Sequence, residues 1–270
     1  MTEKETIKYY DKISSLYHQE TYGQVKSLRA FARTLRTEQV LKLLDKYSGD
    51  RNLLVADIGC GPAQYAIPII ERKHTYIGLD NSPDMYKEAA KDLEKISEIS
   101  FKEGSIQDLT LEDESVDAAI VIGVIEYIDK DEESLKELHR VLKPGGFVIV
   151  SYPNSKNFIH WLRQLLRPFI SPILRAIIPN SKITSTVYIS DIVYRIFNPD
   201  NYALKAKSFG LKLVETVIHG FDFKLSDTKL SDSDVEKLRI LEDKCMREKK
   251  QNGANCITVL RKWLLILKNL

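Results

Sequence analysis

The 270-residue chain is short of several things at once. It has only three cysteines, Cys60, Cys245 and Cys256, too few for a disulfide scaffold and without metal-ligand spacing. No uncharged apolar run approaches the ~20 residues that span a bilayer. The opening Met1-Thr2-Glu3-Lys4-Glu5 is charged and carries no signal-peptide stretch. There is no excess of charge: 40 Lys and Arg against 38 Asp and Glu leave +2, which excludes a histone-like or polybasic chain. Internal repeats and low-complexity tracts are absent as well. What remains is 43% apolar and 29% charged residues, enough apolar material for a packed core. The expectation is a soluble, cytoplasmic globular protein, with one large domain or one domain plus an appendage.

Residues 1–50 read as helical. Phe31, Leu35, Leu41 and Leu44 recur at helical spacing, and Lys26, Arg29, Arg33 and Arg36 share another face, expected to be solvated. From residue 53 onward short apolar runs alternate with helical segments. The runs are Leu53–Ala56, Tyr76–Leu79, Ile99–Phe101, Ala118–Ile122 and Phe147–Val150, with later candidates at Leu211–Val214 and Cys256–Leu260. Alternation of this kind predicts an α/β fold with a mostly parallel sheet covered by helices on both faces. Residues 153–200 interrupt it as a helical insert after the fifth strand.

The first strand ends in Asp57-Ile58-Gly59-Cys60-Gly61-Pro62. A glycine turn between strand and helix lets a ligand approach the backbone closely. Gln64 stands where a dinucleotide-binding loop needs its third glycine, so that fingerprint fails. Asp57 beside the turn would repel a pyrophosphate and attract an ammonium or sulfonium group. Asp80, ending the second strand, can accept hydrogen bonds from both hydroxyls of a ribose. A nucleoside with positive charge and no phosphate answers this description, and S-adenosylmethionine is such a molecule.

These segments resemble the class I S-adenosylmethionine-dependent methyltransferases of the small-molecule group. Asp57–Ala63 resembles the D-x-G-x-G-x-G loop, Leu79–Met85 the second-strand acid segment, and Gly104–Leu109 the adenine-side loop. Ser115–Ile120 resembles the fourth strand and Leu138–Gly146 the approach to the fifth. The resemblance is close over residues 50–153 and loose over 196–262. It implies a Rossmann-like seven-stranded, mostly parallel sheet, an N-terminal helical lid over 1–50 and a cofactor domain built from 51–152 and 201–270. It implies cofactor contacts from Asp57, Gly59, Cys60, Gly61, Asp80, Asn81, Met85, Ser105, Ile106, Ile122 and Gly123, with Tyr17 as the lid aromatic. Two positions depart from the pattern. Ala63 replaces a glycine, which is tolerable only if its backbone is not left-handed, and Ser105 replaces the common Asp. Gly145 and Gly146 read as a plain turn, and Cys60 as a small buried filler.

Methyl transfer is an in-line displacement, helped by positioning and by a base where the acceptor carries a proton. After the fourth strand stands Gly123-Val124-Ile125-Glu126-Tyr127. Quinone-pathway O-methyltransferases carry a metal-binding E-V-x-E-H pattern here, of which only Glu126 remains, so the expected mechanism uses no metal. Base candidates are Tyr127, His160, His219 and His18, with Tyr188 behind them; His74 and His139 read as surface or helix residues.

Residues 151–190 hold no Asp or Glu but five basic residues, Lys156, Arg163, Arg167, Arg175 and Lys182. Between them lie Phe158, Trp161, Leu165, Phe169, Ile173 and Ile177 at three- and four-residue steps. Such an insert reads as a substrate lid. It also reads as a surface for peripheral contact with an anionic membrane through 156–182. Either reading predicts a hydrophobic small-molecule or lipid-like acceptor, with oxygen as the receiving atom. The alternatives are N- or C-methylation of a small metabolite, a catalytically silent cofactor-binding regulatory module, and an RNA methyltransferase. The aromatic N-P-P-Y/F tetrapeptide of base-amine methylation is absent after Ile122, and nucleic acid is an unexpected partner.

Overall fold

The computed structural model describes residues 28–158, 160, 162, 165, 195–220 and 230–263. Tyr17, His18, Tyr188 and most of the 153–200 insert lie outside the described residues.

Seven strands form one sheet: β1 (Leu54–Ile58), β2 (Thr75–Asp80), β3 (Ile99–Glu103), β4 (Val116–Val121), β5 (Leu142–Pro153), β6 (Leu211–His219) and β7 (Asn255–Lys262). Their order is β3-β2-β1-β4-β5-β7-β6. β1 to β5 pair in parallel, whereas β7 runs antiparallel to both β5 and β6. β6 therefore points the same way as β1 to β5, and all six end on one edge. All seven apolar runs picked out by alternation are strands.

The pleat sorts the apolar residues between two faces, because neighbouring side chains in a strand point to opposite sides. Val55, Tyr76, Ala118, Ile120, Phe147 and Ile149 join one cluster; Ala56, Ile77, Ala119, Val121, Val148 and Val150 join the other. The first face is covered by α1 (Leu28–Ser48), α2 (Ala66–Ile70) and α3 (Pro83–Leu93), the second by α4 (Asp131–Val141), α5 (Pro199–Ser208) and α6 (Asp232–Arg247). Helix starts follow local chemistry. Pro83 and Pro199 open α3 and α5, and Ser231 with Asp234 forms a capping box on α6. α2 and α4 end earlier than the sequence suggests, at Ile70 and Val141. In the second case Pro144 cannot continue a helix, and Leu142 already pairs with Val116.

Chain order reverses between β1 and β4. From β1 the chain moves outward to β2 and β3, then returns to build β4 on the other flank of β1. In open α/β sheets the crevice beyond the strand ends at such a reversal is where ligands bind.

Candidate active site

The β1 turn is shaped by left-handed backbone at Gly59 (φ +75°) and Gly61 (φ +51°). Gly59 N–H and Cys60 N–H both donate to the Leu79 carbonyl, at 2.7 and 3.0 Å. A Cβ on Gly59 would stand 2.3 Å from Val124 Cγ2, so the turn after β1 lies directly against the turn after β4. Ala63 is also left-handed, at φ +57°, and is fully buried. That corrects the expectation for this position: the loop keeps the geometry of its glycine and the alanine carries the strain, a cost of about 1–2 kcal/mol.

Asp80 binds this turn to the next one. Its Oδ2 accepts from Gly61 N–H at 2.8 Å and its Oδ1 from Ser82 N–H at 2.9 Å. A carboxylate has about four acceptor positions, so Asp80 can clasp the loop and also meet ribose hydroxyls. Met85 is buried, with its Cε 3.2 Å from the point a Gly61 Cβ would occupy. Asn81 is half-buried beside it. Ser105 accepts from Gln107 N–H at 3.3 Å, while the Ile106 side chain is turned into the core. Ile122 is half-buried against the first-face cluster.

Asp57 is buried and accepts from Tyr76 Oη at 2.9 Å. Burial pushes its carboxyl up to about 7; the Tyr76 hydrogen bond opposes this and the nearby Asp80 charge reinforces it. Two acids close together favour a cation between the loops. Cys60 is buried and its thiol is pushed well up by burial and by both acids, which suits a filler rather than a nucleophile.

At the end of β4 lies a second set of groups. Gly123 is left-handed (φ +72°) and its N–H donates to Ser151 Oγ at 3.0 Å. The point where its Cβ would sit is 3.7 Å from Arg36 Nη1 and 3.8 Å from Glu126 Oε1. Glu126 occupies a single 3₁₀ turn, Ile125–Tyr127, and is buried. Burial pushes its carboxyl up to about 7 although the Arg36 charge favours ionisation. His219, at the end of β6, is buried with neither ring nitrogen hydrogen-bonded among the described residues. Burial, with Arg36 adding to it, holds His219 neutral, pushed down to about 3.

Of the base candidates, His219 stands at the ligand edge and Tyr127 borders it, half-buried in the same turn as Glu126. His160 is half-buried, its backbone N–H donating to Asn157 Oδ1 at 3.1 Å. His74 is buried, not at the surface. Its Nδ1 accepts from Leu53 N–H just before β1, at the opposite edge of the sheet. His139 lies on α4, packed at Gly210. Two groups were underrated in the sequence. Arg36 belongs to a basic stripe that reads as solvated, yet its guanidinium reaches over β4. Glu126 reads as the remnant of a metal site. Only the burial of a carboxylate in a short turn marks either one, and burial at a strand end is not written in the local pattern.

The insert begins and ends at this edge. Ser155 N–H donates to Phe197 O and Phe197 N–H to Pro153 O, both at 2.9 Å. Arg195 N–H donates to the Glu126 carbonyl at 2.8 Å, and its guanidinium reaches Ile128 O at 3.0 Å and Asp131. The two feet of the insert are thus tied together beside Glu126.

Residues 56–150 match the family described as Methyltransferase domain. That segment, about a third of the chain, is a methyltransferase domain. The chain is 28% identical over 188 residues to demethylmenaquinone methyltransferase of Staphylococcus carnosus, covering 67% of this chain and 74% of the relative. It is 31% identical over 129 residues to 2-methyl-6-phytyl-1,4-hydroquinone methyltransferase 2 of Oryza sativa, covering 47% and 36%. The chain spans from a third to three quarters of the length of several curated relatives it matches. The structure of magnesium protoporphyrin IX methyltransferase from Synechocystis, with bound S-adenosylhomocysteine, aligns at a TM-score of 0.62. It covers 96% of this chain and 99% of that one at 13% identity, a likeness in fold alone.

S-adenosylmethionine fits the residues of this site. A carboxylate stands at the nucleoside end, two left-handed glycines clear the backbone, and two buried acids flank the loop. In this arrangement Asp80 would hold the ribose, Gly59 and Gly61 the methionine part, and Asp57 would supply negative charge near the cation. The bound molecule supplies an electrophilic methyl group on a sulfonium.

Proposed function

We propose that this chain methylates a hydrophobic small-molecule or lipid-like acceptor bearing an acidic hydroxyl, such as a hydroquinone with an apolar tail. One observation carries the reading. The insert, which has no acid over residues 151–190 and is rich in apolar residues there, has both its feet beside Glu126. An apolar acceptor bound at this edge would leave its hydroxyl among Glu126, His219 and Arg36. The relatives' names, which include a prenylated hydroquinone, support the same class. Contact of the insert with an anionic membrane belongs to this reading too, because such acceptors reside in membranes.

The protein's work in this reaction is placement and exclusion of water. The β1 and β4 turns touch at Gly59 and Val124, which sets the distance between the cofactor loop and the acceptor end. Orientation of this kind supplies a large share of the barrier reduction in a displacement. Among the described residues no three His, Cys, Asp or Glu side chains group closely enough to hold a metal ion. In this reading the hydroxyl oxygen is the receiving atom. Methylation of the ring carbon beside that hydroxyl would use the same deprotonation, and NMR of the product separates the two.

The test is turnover of S-adenosylmethionine to S-adenosylhomocysteine with 2-methyl-6-phytyl-1,4-hydroquinone in mixed micelles, with tRNA as a parallel arm. Product with the quinol and none with tRNA supports the reading. Tight cofactor binding with no product from the quinol overturns the acceptor, and leaves the regulatory module as the second reading.

A further inference from the structure

We propose that Glu126, facing Arg36 across the open side of Gly123, is the group that takes the acceptor's proton during methyl transfer. The inference rests on the acceptor reading above and assigns the base to a residue that the histidine candidates had overshadowed.

Glu126 Oε2 is buried and has no hydrogen-bond partner among the described residues. Leaving a buried carboxylate oxygen unpaired is costly, so the fold keeps it for a donor that arrives with a ligand. Gly123 has no side chain to fill the approach, and Glu126 Oε1 and Arg36 Nη1 both lie within 4 Å of the vacated point. A hydroxyl entering there meets an acceptor and a fixed positive charge together. The cation stabilises the oxyanion that forms as the proton leaves.

Charge on the surrounding elements supports Glu126 over His219. α1 contributes Arg36. β5 contributes the neutral Ser151 hydroxyl, which is bonded to Gly123 N–H. Arg195, at the returning foot of the insert, turns its guanidinium to Asp131 and Ile128 O, so it acts on Glu126 only through the backbone. β6 contributes His219. A carboxyl pushed up to about 7 is matched to proton transfer at neutral pH, whereas an imidazole pushed down to about 3 resists protonation. His219 stays neutral and serves as a hydrogen-bonding group for the acceptor.

The step balances as follows. The acceptor's O–H proton passes to the Glu126 carboxylate, and the oxygen lone pair forms a bond to the methyl carbon. The methyl–sulfur bond breaks with its electron pair on sulfur, leaving neutral S-adenosylhomocysteine. Glu126 returns the proton to water when the product leaves.

The experiment compares wild type, Glu126→Gln, Glu126→Asp and His219→Gln, using 2-methyl-6-phytyl-1,4-hydroquinone as acceptor and calorimetry for S-adenosylmethionine. Wild-type kcat is expected to rise through about pH 7. Glu126→Gln loses about a hundredfold or more in kcat and becomes flat with pH, while cofactor affinity stays within about twofold. Glu126→Asp recovers part of the rate. His219→Gln slows the reaction but keeps the pH rise. The inference is overturned if Glu126→Gln keeps wild-type kcat, if it loses cofactor binding, or if only His219→Gln abolishes the pH rise. If the wild type binds cofactor but makes no product, the acceptor reading has failed and infrared titration decides this one. A protonated-carboxyl band present near pH 6, lost near pH 8 and missing from Glu126→Gln upholds the proton site; no such band overturns it.

Discussion

Asp80 does two jobs. Its carboxylate clasps Gly61 and Ser82 through the backbone, so Asp80→Ala would disturb the loop as well as the ribose contact. Asp80→Asn keeps the shape and one acceptor oxygen, but it sets an NH2 donor against Gly61 N–H or Ser82 N–H and so also loses one bond of the clasp. It is expected to weaken S-adenosylmethionine binding by about 1–3 kcal/mol, the range for hydrogen bonds to a charged group. Calorimetry checks this, and unchanged affinity would contradict the ribose role. Ala63 offers a second residue-scale test. Ala63→Gly relieves left-handed strain of about 1–2 kcal/mol. It also loses a buried methyl worth about 0.8 kcal/mol and adds roughly 0.5–1 kcal/mol of unfolded-chain entropy. The terms nearly cancel, so stability should change by less than about 1 kcal/mol. Ala63→Val has no such relief, because a β-branched residue at φ +57° is strained further. Its chemical-denaturation midpoint should fall clearly below that of Ala63→Gly.

Among the elements, the foot of the insert decides how the acceptor end is held. The Asp131 carboxyl is pushed up by burial but held below its usual range overall, by hydrogen bonds from Arg195 and Lys205. Arg195 also lies 4.8 Å over the Phe197 ring. In Arg195→Ala, Lys205 still pairs with Asp131 at 3.2 Å, so no buried charge is orphaned. The expected loss of stability is then modest, about 1–2 kcal/mol. The functional effect should fall on KM for the acceptor, with cofactor affinity unchanged. Equal losses in both would show that the foot supports the cofactor loop instead. α1 carries a related lesson. Its apolar positions were legible, and Phe31, Leu35 and Leu44 are buried as their spacing predicts. The fate of Arg36 was not legible, since the same spacing puts it in a stripe with Arg33. What distinguishes the two is where the helix lies over the sheet.

Across the whole molecule, the buried acids make stability respond to pH. Folded Asp57 and Glu126 keep their protons up to about 7, whereas unfolded chains release them near the ordinary carboxylate values. The folded state therefore binds more protons in between. This contribution is full below the unfolded values and is lost as pH rises through about 7. His219 works in the opposite sense: its contribution is present above about pH 6.5 and is lost as pH falls toward 3. From pH 6.5 to 8 His219 regains part of this, and His74 and His139, also lowered by burial, act in the same sense, so the cofactor-free protein should lose about 1 kcal/mol or less. Thermal melts should show a lower Tm at pH 8 than at pH 6.5, and Asp57→Asn with Glu126→Gln should flatten the difference. The same pH response in wild type and double variant would mean that neither acid is held protonated.

How far the chain could be read from its sequence follows from the range of each interaction. Strand runs, the glycine turn and the acids at strand ends are local. Backbone geometry and side-chain alternation dictate them within a few residues, and the seven strands and the cofactor loop were visible on that basis. The antiparallel seventh strand, the contact of Gly59 with Val124, and the left-handed backbone at Ala63 depend on segments far apart in the chain. So does the meeting of Arg36, Glu126 and His219 at one edge. The sequence by itself determined that a cationic nucleoside is bound. Only the tertiary structure decided which residues meet at the strand-end edge, because burial and proximity, which set the acid–base character of those residues, exist only once the sheet and its helices have closed on one another.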